Sequence, residues 1–197
     1  MKRRFQIRHR AAWRACVRRL CSLALIFSLA AIPARPQTTP VDGKPTEYEV
    51  EAAYLSNFGR FVEWPRPVAA GENFDLCVLG QDPFGPLLDS ALKGESIGGD
   101  SLVARRITSV ENARSCRVLF ISRSSEGHLA EILQEVRLLN LLTVSDIAGF
   151  TRRGGIIEFV LQEKKVRFEI NIAAAKRAGL TLSSQLLKIA TSVRRTP

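Results

Sequence analysis

The sequence predicts an α/β domain: a mixed, mainly parallel sheet flanked by helices, ending in an antiparallel hairpin and two C-terminal helices. Three observations carry this. Short apolar runs alternate with helical patterns through the first half of the domain, as in β-α-β units. Two runs rich in β-branched residues, 156–161 and 166–170, are separated only by polar residues 162–165, which is a hairpin signal. After them, Asn171 and Ser183 each stand where a helix would be capped.

Taken in order, Val50, Ala53, Tyr54, Phe58, Phe61 and Val62 recur near helical spacing and predict a helix from 48 to 64, ended by Pro65 and Pro67. Residues 74–79 form a buried strand that turns at Gly80. A short helix spans 84–92 and breaks at Gly94, and Gly98-Gly99 lead into a second strand at 102–108. The third strand is 116–122. Ser124 or Ser125 caps a helix through Arg137 whose inward face is Leu129, Ile132, Leu133 and Val136. Residues 141–144 are the fourth strand, and Ser145-Asp146 open the next turn. After the hairpin, Asn171 caps a helix at 172–178 that Gly179 stops, and a last helix runs from Ser183 to about 193. The late hairpin makes the sheet mixed rather than purely parallel.

The chain has 197 residues, with 29 Lys+Arg against 19 Asp+Glu and a formal charge of +10. That charge is uneven. Residues 1–34 hold eight basic side chains and no acidic one, so the remainder has 21 basic against 19 acidic residues. A nucleic-acid binder keeps its charge on the folded domain, so that class is excluded as a partner. The basic head, the apolar stretch at 20–32 and the small-residue exit around Ala31 and Ala34 read as a signal peptide over 1–34. The apolar stretch is shorter than the roughly 20 residues that span a bilayer, although an N-terminal anchor is the competing reading. Residues 35–46, rich in Pro and Thr, form a flexible leader, and one domain fills 47–195. An exported domain is expected.

Export changes the cysteine arithmetic. Cys16 and Cys21 leave with the signal, and Cys77 and Cys116 remain in an oxidising compartment. An even pair there points to one disulfide, worth about 3.5–4 kcal/mol in the chain-entropy model. Two buried free thiols are the alternative. With His128 the one remaining histidine, no zinc ligand set is present in the mature sequence, and no metal or cofactor is expected.

Catalytic patterns are sparse. His128 falls in the first turn of a helix, as a surface or capping residue. The loop Gly80-Gln81-Asp82-Pro83-Phe84-Gly85 follows a strand but lacks the Lys-Ser/Thr of a P-loop and the third glycine of a dinucleotide site. It reads as a turn. Glu51, Glu63, Asp146, Glu158 and Glu169 show no sequence sign of a shared pocket, and Arg105-Arg106 and Arg152-Arg153 read as solvated charge rather than an anion patch. No enzymatic activity is expected. Phe58, Phe61 and Trp64 form an aromatic stripe, mostly core. Trp64 and Phe150 lie at element ends, where a partly exposed ring can touch a partner or a ligand.

Five segments together resemble the YfiR-like family of small exported proteins. They are 52–58 running on to Phe61-Val62-Glu63-Trp64-Pro65, then 76–85, 116–122, 142–155 and 166–187. The resemblance implies a periplasmic regulator that binds the sensor domain of an inner-membrane diguanylate cyclase and restrains cyclic-di-GMP synthesis, a control on biofilm formation. The alternative is a periplasmic small-ligand-binding module acting on another membrane signalling protein. A homodimer is a further expected assembly. Cys77 and Cys116 match cysteines of that family. Some members carry a second pair near the segment that is 150–159 here; this chain has none, so a second, redox-labile bridge is absent.

Overall fold

The computed structural model describes residues 45–65 and 73–195. The expected signal peptide, and all of the leader up to residue 44, lie outside the described residues. The first helix, α1 (Glu47–Phe58), starts at a capping box. The Thr46 hydroxyl accepts from the Glu49 amide at 3.3 Å, and the Glu49 carboxylate accepts from the Thr46 amide. α1 buries Glu51, Ala52, Leu55 and Phe58 along one stripe. It does not run on to Trp64 as the sequence predicts. The chain tightens into a 3-10 turn at Gly59–Phe61 and then extends as β1 (Val62–Glu63). The reason is tertiary: β1 pairs antiparallel with Thr181–Leu182, a partner more than a hundred residues away.

The main sheet collects β2 (Phe74–Leu79), β3 (Ser96–Ile97), β4 (Asp100–Ile107), β5 (Val118–Ile121), β6 (Leu142–Ser145), β7 (Ile157–Gln162) and β8 (Lys165–Asn171). β9 is Thr181–Leu182, and β10 (Ser192–Arg194) completes the main sheet. The order is β10-β8-β7-β6-β5-β2-β4-β3. β4, β2, β5, β6 and β7 run parallel, β8 is antiparallel to β7, and β3 is antiparallel to β4. The five parallel strands therefore lie in the order second, first, third, fourth, fifth. That is a doubly wound sheet whose winding reverses between β2 and β5. The expected mixed, mainly parallel architecture is the one observed.

Four further helices lie between the strands: α2 (Pro86–Leu92), α3 (Leu129–Val136), α4 (Ile172–Arg177) and α5 (Ser184–Ile189). Side chains alternate along the strands, so β2, β4 and β5 feed two cores. On one face Leu76, Val78, Phe120, Val144 and Phe159 meet Leu55 and Phe58 of α1 and Leu88 of α2. On the other, Cys77, Leu79, Leu119 and Ile121 meet Leu129, Ile132, Leu133 and Val136 of α3. α5 ends earlier than the sequence predicts, because the last residues add β10 to the edge of β8. Thr191 secures the switch, donating from both its amide and its hydroxyl to the Phe168 carbonyl.

Cys77 and Cys116 form a disulfide across the second core, with a sequence separation of 39 and Cα atoms 5.9 Å apart. β2 and β5 are neighbours, but Cys77 stands opposite Leu119, three residues beyond Cys116. Cys116 is the end of the 3-10 turn Val110–Ser115, and the entry of that turn into β5 brings its sulfur to Cys77.

Candidate functional site

In an open doubly wound sheet the loops on either side of the reversal leave for opposite faces, and a crevice forms at the carboxyl ends of the strands. Here α2 follows β2 onto one face and α3 follows β5 onto the other. Gly80, at φ +92, ends β2, and a Cβ there would lie 2.5 Å from the Ser125 hydroxyl and 2.6 Å from that of Ser124. The Gln81 amide donates to Ser124 Oγ at 2.8 Å, the Phe84 amide to Asp82 Oδ1 at 2.8 Å, and the Gly80 amide to the Ile107 carbonyl. Three of the loop's amides are thus already engaged, and the glycine segment is a packed turn.

Beside this turn the structure assembles a charged group that sequence spacing did not reveal. Asp146 follows β6 and is 6% exposed; Arg123 follows β5, and its Nε donates to Asp146 Oδ2 at 2.8 Å. Glu51, on the second turn of α1, is 1% exposed. Glu51 Oε2 and Asp146 Oδ1 are buried without a hydrogen-bond partner. Burial pushes the Glu51 carboxyl up to about 8, with the charges of Asp146 and Glu47 adding to the effect and Arg123 opposing it. Burial also raises Asp146, against the pull of Arg123. Tyr48 adjoins them and packs edge-on against Phe84 at 5.7 Å, and its phenol is raised by burial and by Asp146. A signal for Glu51 was present in the sequence. It keeps step with Leu55 and Phe58 on the inward stripe of the helix, a phase where an acidic residue is anomalous.

A second corner holds Trp64. The ring is half-buried, sits edge-on to Phe74 at 5.6 Å and lies under the Arg117 guanidinium at 5.9 Å, a cation–π contact; its Nε1 is buried with no acceptor. Trp64 is thus partly exposed, as the sequence reading requires of a contact residue. Phe150 is not. Its side chain is 0% exposed in the second core, so the expectation of an exposed ring there is corrected: the loop folds back, and Gly155 lies directly over the ring.

The other polar candidates resolve into local structure. His128 is exposed, with Nδ1 3.4 Å from Glu131. Arg105 pairs with Asp75, Arg106 with Asp82 and Asp89, and Arg153 with Glu126. Glu158 is buried and accepts from the Gly149 amide at 2.6 Å and from the Thr151 amide and hydroxyl at 2.9 Å. It ties the loop after β6 to β7. Among the described residues, no group of three or more His, Cys, Asp or Glu side chains is placed to hold a metal ion, and no helix is long and apolar enough to cross a membrane.

The fold and this site define a class first: a doubly wound α/β domain, stapled by one disulfide, with buried carboxylates on α1 and after β6. Residues 48–191 match the family described as YfiR/HmsC-like, and the chain belongs to that family. No curated protein matches the sequence. Among solved structures, a conserved domain protein of Vibrio cholerae O1 biovar El Tor N16961 is similar at a TM-score of 0.50 and 12% identity, covering 77% of this chain and 62% of that one. The ABC domain of a Streptococcus pneumoniae protein, solved in complex with L-Trp, is similar at a TM-score of 0.48 and 10% identity, over 72% of this chain and 60% of that one. The chain therefore spans less than two thirds of either structure, and at this identity the first likeness concerns the fold alone.

Proposed function

We propose that this protein binds the periplasmic sensor domain of an inner-membrane diguanylate cyclase and restrains it by contact, without chemistry of its own. The observation that carries the reading is the family match, which extends over nearly the whole described domain. A regulator of this kind needs only to prefer one conformation of its target. A difference of about 3 kcal/mol moves a two-state equilibrium roughly a hundredfold, so contact alone suffices. Trp64 is the proposed contact residue: a half-exposed aromatic gains apolar burial when a partner covers it. The export signal expected over 1–34 and the Cys77–Cys116 staple fit an oxidising location.

The test is capture of the purified sensor domain of a co-encoded membrane cyclase, together with cellular cyclic-di-GMP in a deletion strain. Expected are direct binding, a rise in cyclic-di-GMP on deletion, and a loss of at least about tenfold in affinity for Trp64→Ala with its melting temperature little changed. Absence of binding to any envelope sensor domain, with unchanged cyclic-di-GMP, rejects the proposal.

A further inference from the structure

A carboxyl group on the inward stripe of a helix has to end on a donor, on a cation or on its own proton. Glu51 is such a group, 1% exposed and with Oε2 facing no donor. The charged and titratable groups around it come from three places. Glu47 and Tyr48 lie on α1 itself, Arg123 follows β5, and Asp146 follows β6. Arg123 is the cation of this set, and it is committed to Asp146 Oδ2 at 2.8 Å. Two buried carboxyl groups thus have one positive partner between them. Asp146 keeps the charge because it holds the guanidinium, and Glu51 is left to its proton.

We propose that Glu51 is a proton-operated latch: protonated, it lets the first turns of α1 lie against the loops that follow β5 and β6, and ionised, it drives those turns away. The geometry supplies both halves of the device. α1 docks through apolar contacts, with Ala52 and Leu55 at 1% exposure and Tyr48 on Phe84, and a neutral Glu51 does not oppose them. Ionisation puts a second negative charge beside Asp146 in a place water does not reach, with Glu47 close by on the same helix. Arg123 is too exposed, at 61%, and too engaged to neutralise both. The midpoint falls on the alkaline side of neutrality, since the carboxyl is raised to about 8. The regulatory meaning rests on the periplasmic reading above: behind a porous outer membrane, the latch answers to external alkalinity.

Hydrogen exchange on the mature protein tests this independently of any cyclase. Exchange in residues 47–58 would be followed from roughly pH 6.5 to 9.5, corrected for intrinsic rates, with β5 as internal reference. Protection of α1 is expected to fall at least about tenfold through a midpoint near pH 8 while β5 stays protected. Glu51→Gln should hold protection across the range. Asp146→Asn should move the midpoint to lower pH and Arg123→Gln to higher pH, because the two charges act on Glu51 with opposite sign. A flat wild-type profile, or one identical to Glu51→Gln, overturns the proposal, as does a midpoint that neither charge variant moves. Recovery of protection at high pH by millimolar magnesium or spermidine also overturns it, in favour of a cation site.

Discussion

Phe150 and Gly155 compete for one space: a Cβ on Gly155 would lie 2.0 Å from Cε1 of the Phe150 ring, while the Gly155 amide donates to the Phe150 carbonyl at 2.9 Å. The loop after β6 is therefore closed over its own aromatic plug, and glycine is required there for close approach. Gly155→Ala should destabilise the domain by about 2–4 kcal/mol, a fall of roughly 5–12 °C in melting temperature. The double variant Phe150→Ala/Gly155→Ala should lose less than the sum of the two single losses, since removing the ring makes room for the methyl. Thermal or urea denaturation of the four proteins measures this, and strict additivity would contradict it.

Glu158 closes the same loop with polar bonds. Its carboxylate accepts three hydrogen bonds from Gly149 and Thr151. Glu158→Gln turns one acceptor oxygen into a donor facing a donor. The expected loss is about 2–3 kcal/mol, with increased exchange of the amides of residues 149 and 151. Thr151→Val removes only the hydroxyl bond, and should cost about 1 kcal/mol. Urea melts check both.

Reduction of the Cys77–Cys116 bridge, or Cys77→Ala/Cys116→Ala, should lower stability by about 2–4 kcal/mol without changing the fold. Both sulfurs lie in the second core, so alkylation of the native protein should be negligible before denaturation and complete after reduction and unfolding. Quantitative labelling of native protein in the absence of reductant would contradict the bridge.

Glu51 makes stability depend on pH with a definite sign. The carboxyl titrates at 4.5 in its ordinary state and at about 8 when buried, so between these values the folded chain binds more protons than the unfolded one. Stability contributed by this group is fully present below pH 4.5 and is lost as pH rises through about 8. The full loss is on the order of 5 kcal/mol. Glu51→Gln should remove that slope, so the variant gains on the wild type progressively from acid to alkaline pH. Urea melts at four pH values across the window give the difference directly, and a constant difference would contradict the assignment.

Legibility divided along physical lines. β2 was read at its observed bounds because a short run with five apolar residues in six, closed by glycine, has few other fates. The β7–β8 hairpin and the Asn171 and Ser183 caps were equally plain, the caps because their side chains act on amides three residues on. β1, β3, β9 and β10 were not legible, since two or three residues carry no period and each strand exists only through its partner. Phe150 misled for a similar reason: a loop position suggests exposure, and only the fold-back under Gly155 buries it. The proximity of Glu51 and Asp146, ninety-five positions apart, lay beyond any spacing argument, although the phase of Glu51 on its helix was a clue.

By itself the sequence determined the alternation of strands and helices, the family, and the pair of cysteines left to bond. These follow from periodicity, capping chemistry and composition, which act within a few residues. Tertiary structure decided where α1 stops, which cysteine height is used, which aromatic stays exposed, and which two carboxyl groups share one guanidinium. Those are outcomes of strand order and register, and register is a property of chain segments meeting in space.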